Sequence, residues 1–150
     1  MNQVQVEETN FQMPPVEGFS IAHFLTVADV DRSAQFYARV FDGKIIRKAE
    51  QQDDPTYIQI ANTWLILNRG GGPTPDKPTV ILETPPDPNR ISSFMNVRVA
   101  NIVACYELWK SRGATFITEP LDKDGETRCY IRDPDGYIIE VGESYPGSWG

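Results

Sequence analysis

A chain of 150 residues is long enough for one domain with a real core, and 40% hydrophobic with 23% charged residues is ordinary for a globular protein. A net charge of −7 argues against nucleic acid as a partner, because phosphate neutralisation needs a basic face, and against docking on an anionic membrane. No apolar run approaches the roughly 20 residues of a membrane span.

Met1 to Glu8 is polar and acidic, which does not read as a secretory leader. Cys105 and Cys129 make no disulfide framework, so a reduced, cytoplasmic protein is expected. Residues 1–18 contain Pro14-Pro15 and no sustained period, and they predict an extended N-terminal arm. A strand follows at about 20–27. Asp29 or Asp31 can cap the next helix, whose apolar pairs Phe36/Val40 and Tyr37/Phe41 sit four apart and form one buried stripe. Gly43 is placed to end that helix in the left-handed conformation. Strands are expected near 44–50, 56–61 and Trp64 to Asn68, with a tight turn at Asn62-Thr63. Gly70 to Pro78 holds three consecutive glycines, but it runs into Pro73, Pro75 and Pro78 rather than a helix with Lys and Ser/Thr. It is therefore a surface loop, suited to act as a lid, and not a phosphate cradle. Thr79 to Glu83 reads as a short strand and Pro85 to Arg90 as a linker.

Val27-Ala28-Asp29-Val30 then recurs 72 positions later as Val99-Ala100-Asn101-Ile102. Each copy closes a β-like run and opens a helical one. Phe94 to Val99 is the strand, Asn101 the cap, and Val103, Tyr106 and Trp109 mark a helix ending at Gly113. Strands follow near 114–118 and 126–131. Asp133-Pro134-Asp135-Gly136 is a strong turn signal that closes a hairpin into Tyr137 to Val141. Fixed-offset repetition of one plan predicts two modules, 19–86 and 92–143, within one domain over 19–143, followed by a tail at 144–150. The fold class is α+β: two βαβββ modules forming a cupped antiparallel sheet, whose cleft is the expected small-molecule site.

The run His23-Phe-Leu-Thr-Val-Ala-Asp-Val-Asp-Arg-Ser, with Phe36-Tyr37 and Phe41-Asp-Gly43, and the run Tyr130-Ile-Arg-Asp-Pro-Asp-Gly-Tyr-Ile-Ile-Glu140-Val resemble the vicinal oxygen chelate superfamily. That superfamily includes glyoxalase I, fosfomycin and bleomycin resistance proteins and extradiol dioxygenases. The resemblance spans about residues 19–143. It implies paired βαβββ modules and, commonly, a homodimer. It also implies a divalent metal held by side chains from the first and last strand of each module. His23 and Glu140 fall at two such positions, an incomplete set. Phe94 stands where a second His is expected, and Leu65, Ile66 and Leu67 surround the remaining position. The cofactor is then a weakly held Mg, Mn, Fe or Zn ion, or none.

Strand parity gives a second reading of His23. Side chains alternate faces with period two. Phe94, Asn96 and Arg98 then face the cup while Val97 and Val99 face the helix. Val27 corresponds to Val99, so His23 joins the helix side unless a β-bulge shifts the register. His23 is a structural histidine, a metal ligand or an acid/base group. Glu140 interrupts Ile138-Ile139 and Val141, and a buried carboxylate needs a partner. It is paired with Arg98 or Arg128, or acts as a metal ligand or catalytic base, or faces solvent at an open rim. Trp64, Asn68, Phe94, Asn96, Arg98, Arg128 and Tyr130, with Tyr57 and Gln59, are the candidate ligand-binding residues, a set suited to a small, flat, partly polar molecule. Arg128 can lower the pKa of Cys129, but no base accompanies that thiol. Three functions stay open. One is a metal-dependent lyase or dioxygenase in which Glu140 moves a proton. The second is a metal-free protein that sequesters an aromatic or antibiotic-like compound, and the third a non-catalytic interaction domain.

Overall fold

The computed structural model describes Val4, Met13 and residues 15–147. The arm expected over residues 1–18 lies largely outside these, as do the last three positions of the expected tail. Among the described residues no helix is long and apolar enough to cross a membrane. The chain divides into two compact units, one running to Pro86 and the other from Asp87 onward.

The first unit contains β1 (His23–Thr26), α1 (Val30–Phe41), β2 (Lys44–Arg47), β3 (Thr56–Ile60) and β4 (Thr63–Asn68). Its sheet order is β1-β4-β3-β2, with β1 parallel to β4 and the other pairs antiparallel. The second contains β5 (Met95–Arg98), α2 (Ile102–Ser111), β6 (Thr115–Phe116), β7 (Leu121–Lys123), β8 (Glu126–Arg132) and β9 (Ile138–Ser144). Its order is β5-β9-β8-β6, with β5 parallel to β9 and β7 also paired to β8. Strands β6 and β7 lie along one edge of β8 and together fill the place of β2. Pro120 separates them, because it has no N–H to give the ladder. Both units are thus one βαβββ plan, as the repeat predicts.

The repeat is physical as well as textual. Val27 N–H donates to the Asn68 carbonyl at 2.8 Å, and Val99 N–H to the Gly142 carbonyl at 2.9 Å. The Asp29 carboxylate caps α1 by accepting from Arg32 N–H, and the Asn101 side-chain oxygen caps α2 by accepting from Ala104 N–H, both at 3.0 Å. Each cap satisfies a donor that the first helical turn leaves orphaned. The stripe Phe36, Tyr37, Val40 and Phe41 is buried as expected, beside Ile58, Leu65 and Leu67 of the sheet. In α2 the buried residues are Ile102, Cys105 and Trp109, whereas Val103 is exposed. The helical period that buries Ile102 turns its neighbour outward.

Three local expectations change. The left-handed residue after α1 is Asp42 (φ 57°, ψ 32°) and not Gly43. The turn before β4 falls on Ala61-Asn62, with Ala61 at φ 51°. Thr79 to Glu83 is no strand: Leu82 forms only an isolated bridge to Gly71, since the Pro-rich loop brings no further strand alongside it.

Gly43 is needed for close approach. A Cβ there would lie 2.8 Å from Ile58 Cδ1 and 3.0 Å from the Tyr37 carbonyl oxygen. Gly43→Ala is expected to lower stability by about 1–3 kcal/mol, read as a fall in the midpoint of chemical unfolding. An unchanged midpoint would mean that α1 does not sit this tightly on β3.

Candidate functional site

Alternation along β5, β9 and β8 separates two faces. Val97, Val141, Cys129, Ile139 and Ile131 line up across the strands on one; the last four are fully buried, and β9 packs against α2. The other face is polar and is organised in cross-strand rows. Asn96, Glu140 and Tyr130 form one row; Arg98, Gly142 and Arg128 form the next; Ser144 and Glu126 extend it.

Glu140 is only 5% exposed. Its Oε2 accepts a short hydrogen bond from the Asn96 amide, and its Oε1 accepts from the Tyr130 hydroxyl at 3.1 Å. Arg128 Nε lies 3.5 Å from the same Oε1. Both oxygens are thereby occupied by donors, which is what a carboxylate needs to stay charged away from water. Burial, followed by the bond to Glu140, pushes the Tyr130 hydroxyl above its usual pKa, so it remains a donor at neutral pH.

The second carboxylate, Glu126, holds both arginines. Arg98 donates to it from Nη2 at 2.9 Å and from Nη1 at 3.3 Å, a two-pronged grip that the planar guanidinium allows. Arg128 Nε donates at 2.6 Å. Arg98 Nη2 also donates to Ser144 Oγ at 2.7 Å. These bonds, that from Arg98 first, hold the Glu126 carboxyl below the usual range, and the bond to Glu126 raises the Arg128 pKa. Gly142 makes the crossing possible: a Cβ there would lie 2.8 Å from Arg98 Cζ. The missing side chain leaves the lane through which Arg98 reaches across β9 to β8.

Phe94, 45% exposed, stands just before β5 with its ring edge-on to Tyr130 at 6.1 Å. Six expected site residues, Phe94, Asn96, Arg98, Arg128, Tyr130 and Glu140, therefore gather in the second unit. Glu126, Gly142 and Ser144 were not anticipated, although parity from Arg128 and Glu140 points to all three. In the first unit Trp64 and Asn68 share the face of β4 turned from α1, with Tyr57 across from them. His23 does not join them. The β1–β4 register runs without a bulge from His23↔Leu65 to Thr26↔Asn68, so His23 lies on the face of buried Leu65 and Leu67. Its repeat counterpart is Met95, not Phe94.

A divalent ion does not fit these donors. Glu140 already accepts from Asn96 and Tyr130 and has a guanidinium beside the same oxygen. Among the described residues no three His, Cys, Asp or Glu side chains gather. Cys129 is buried on the opposite face from Arg128. Burial pushes its thiol up to about 12 and that of Cys105 up to about 11, so Arg128 does not lower it and neither thiol is a nucleophile at neutral pH.

Residues 20–141 match the family model of the Glyoxalase/Bleomycin resistance protein/Dioxygenase superfamily. Among solved structures, a glyoxalase/bleomycin resistance protein/dioxygenase from Nocardioides is similar at 19% identity and a TM-score of 0.66, with 90% of this chain and 89% of that one covered. The fosfomycin resistance protein FosX from Listeria monocytogenes is similar at 14% identity and 0.62, covering 89% and 98%. TioX from Micromonospora sp. ML1 is similar at 18% identity and 0.58, covering 84% and 96%. At such identities the likeness is one of fold. A search of curated proteins finds no match.

Glu126 has a depressed pKa, so its pairing stabilises the fold above the unfolded-state pKa, and this contribution is lost as pH falls through the lower folded value. Gly142→Ala blocks the lane for Arg98. The Glu126 carboxyl should then titrate closer to the usual range in a carbon-detected NMR titration, and acid unfolding should begin at a higher pH. A titration identical to that of the parent would show that Arg98 does not depend on the gap.

Proposed function

The chain belongs to the Glyoxalase/Bleomycin resistance protein/Dioxygenase superfamily, and from that membership we propose that it binds a small organic molecule without a metal ion, in the manner of a sequestering protein. The observation that carries this reading is the donor set of Glu140. A carboxylate that already accepts from an amide and a phenol and lies beside a guanidinium holds its neighbours in place rather than reading a ligand itself, because its charge is fixed and compensated within the sheet. A ligand meets Arg98, Arg128 and Tyr130 as polar contacts and the exposed half of Phe94 as an apolar one. Few convergent polar groups beside aromatic surface suit a flat, partly polar compound.

Glu140 is then a positioning residue. It orients Asn96 and Tyr130 and steadies Arg128, and no bond-breaking step is assigned to it. The two buried, unpaired thiols suit a reducing compartment.

The test is calorimetric titration of bleomycin and a panel of small aromatic compounds, with and without EDTA. Binding should be the same in both conditions. Glu140→Gln keeps the shape and removes the charge, and it should weaken binding about 10-fold, or about 1.4 kcal/mol. Binding that disappears with EDTA and returns with Mn²⁺ or Zn²⁺ would instead support the metal-dependent lyase or dioxygenase.

A second copy of the chain is the proposed protein partner. Val16, Phe19 and Ile21, which are 81%, 89% and 78% exposed, lead into β1, an edge strand of its sheet. Exposed apolar side chains beside an open strand edge favour pairing. Light scattering should give twice the chain mass, and Phe19→Lys with Ile21→Lys should give monomer. A monomeric parent would refute the pairing.

A further inference from the structure

The cross-strand row Asn96–Glu140–Tyr130 has a counterpart in the first unit. Because Val27 and Val99 hold the same place, Phe24, Ile66 and Tyr57 occupy the equivalent row. The tyrosine is retained, but the amide and the carboxylate are replaced by apolar side chains. Two positions before Ile66 on the same face stands Trp64, with its ring edge-on to Tyr57 at 6.3 Å.

Trp64 is only 6% exposed, yet its Nε1–H has no hydrogen-bond partner; among the described residues it is the one buried side-chain polar atom in that condition. An indole N–H is a donor only. Buried without an acceptor, it costs free energy that Phe at the same position would not. At the other end of the face Asn68 spends its Oδ1 on Arg69 N–H at 2.8 Å, which leaves its amide N–H groups to donate. Arg47 lies over the Tyr57 ring at 5.9 Å. Phe24, Tyr57, Gln59, Trp64, Ile66 and Asn68 include no carboxylate. The face offers donors and aromatic surface.

We infer that the Trp64 indole N–H is a ligand-recognition donor, and that this face takes a planar aromatic compound bearing a hydrogen-bond acceptor, of the aryl carbonyl class. The inference rests on the small-molecule reading above and deepens it by naming the ligand chemistry. The ring lies on Phe24 and Tyr57, and its carbonyl oxygen accepts from Trp64 Nε1. A compound of the same shape without the acceptor leaves the N–H orphaned and binds less well, since an unmet buried donor discriminates strongly.

The test compares acetophenone with α-methylstyrene, which has the same outline and no acceptor, on the full chain labelled with ¹⁵N. The Trp64 indole resonance, assigned by its loss in Trp64→Phe, should move downfield with acetophenone and stay within its free-state position with α-methylstyrene. The Trp109 indole is the internal reference. Trp64→Phe should weaken acetophenone binding about tenfold while leaving the thermal midpoint unchanged or higher. If Trp64→Phe folds poorly, the resonance shifts of the parent protein still decide. Equal affinity for both compounds, no movement of the Trp64 resonance, or a long-lived water on Trp64 Nε1 that persists with acetophenone overturns the inference. Those results leave the small-molecule reading to the separate titrations at Glu140, which do not involve Trp64.

Discussion

A charged carboxylate sits on β9, between β5 and β8, and the second unit is arranged around satisfying it. Leaving Glu140 unpaired there would cost several kcal/mol, enough to threaten a fold of ordinary stability. Its two flanking strands each supply one neutral donor in register, Asn96 on one side and Tyr130 on the other. Arg128 adds charge at longer range. A one-residue slip of either strand would turn these side chains toward α2 and bring Cys129 or Val97 against the carboxylate. The Glu140 row therefore fixes register as well as chemistry.

The next row shows how strands share a crowded surface. Two guanidiniums converge on Glu126, and they do so because the residue between them is Gly142. The pairing is half-exposed to solvent, so it contributes through geometry more than through energy. It ties Arg98 and Arg128 to one carboxylate, with Ser144 as a further acceptor for Arg98. Arginine is suited to this place, because its fork can grip one carboxylate with two N–H groups and still donate to a further acceptor.

The two modules keep one plan and diverge in chemistry. The caps Asp29 and Asn101 and the parallel pairs β1–β4 and β5–β9 correspond position by position. On the faces turned from the helices, one row is polar and self-paired, while its counterpart keeps the tyrosine among apolar side chains and the orphaned Trp64 donor stands one row away. Such divergence is open to a duplicated unit because these faces are freed from packing against their own helices.

Much of this was legible in the chain. The 72-residue repeat, the cap residues Asp29 and Asn101, and the Asp-Pro-Asp-Gly turn are local signals with local causes, and they led to the βαβββ plan. In the turn, Gly136 N–H donates to the Asp133 carbonyl at 2.9 Å, and the Asp133 carboxylate accepts from Asp135 and Tyr137 N–H at 2.9 Å each. Alternation with period two was enough to put Phe94, Asn96 and Arg98 on one face, and it likewise turned His23 toward the helix side. Only tertiary structure decided the partners. That Arg98 serves Glu126 rather than Glu140, that Asn96 and Tyr130 rather than an arginine are the nearest donors to Glu140, and that Trp64 Nε1 has no acceptor all depend on pairing between strands distant in sequence. A chain encodes each strand's faces locally, but which side chains meet across a sheet is set by register, and register is fixed by the packing of the whole unit.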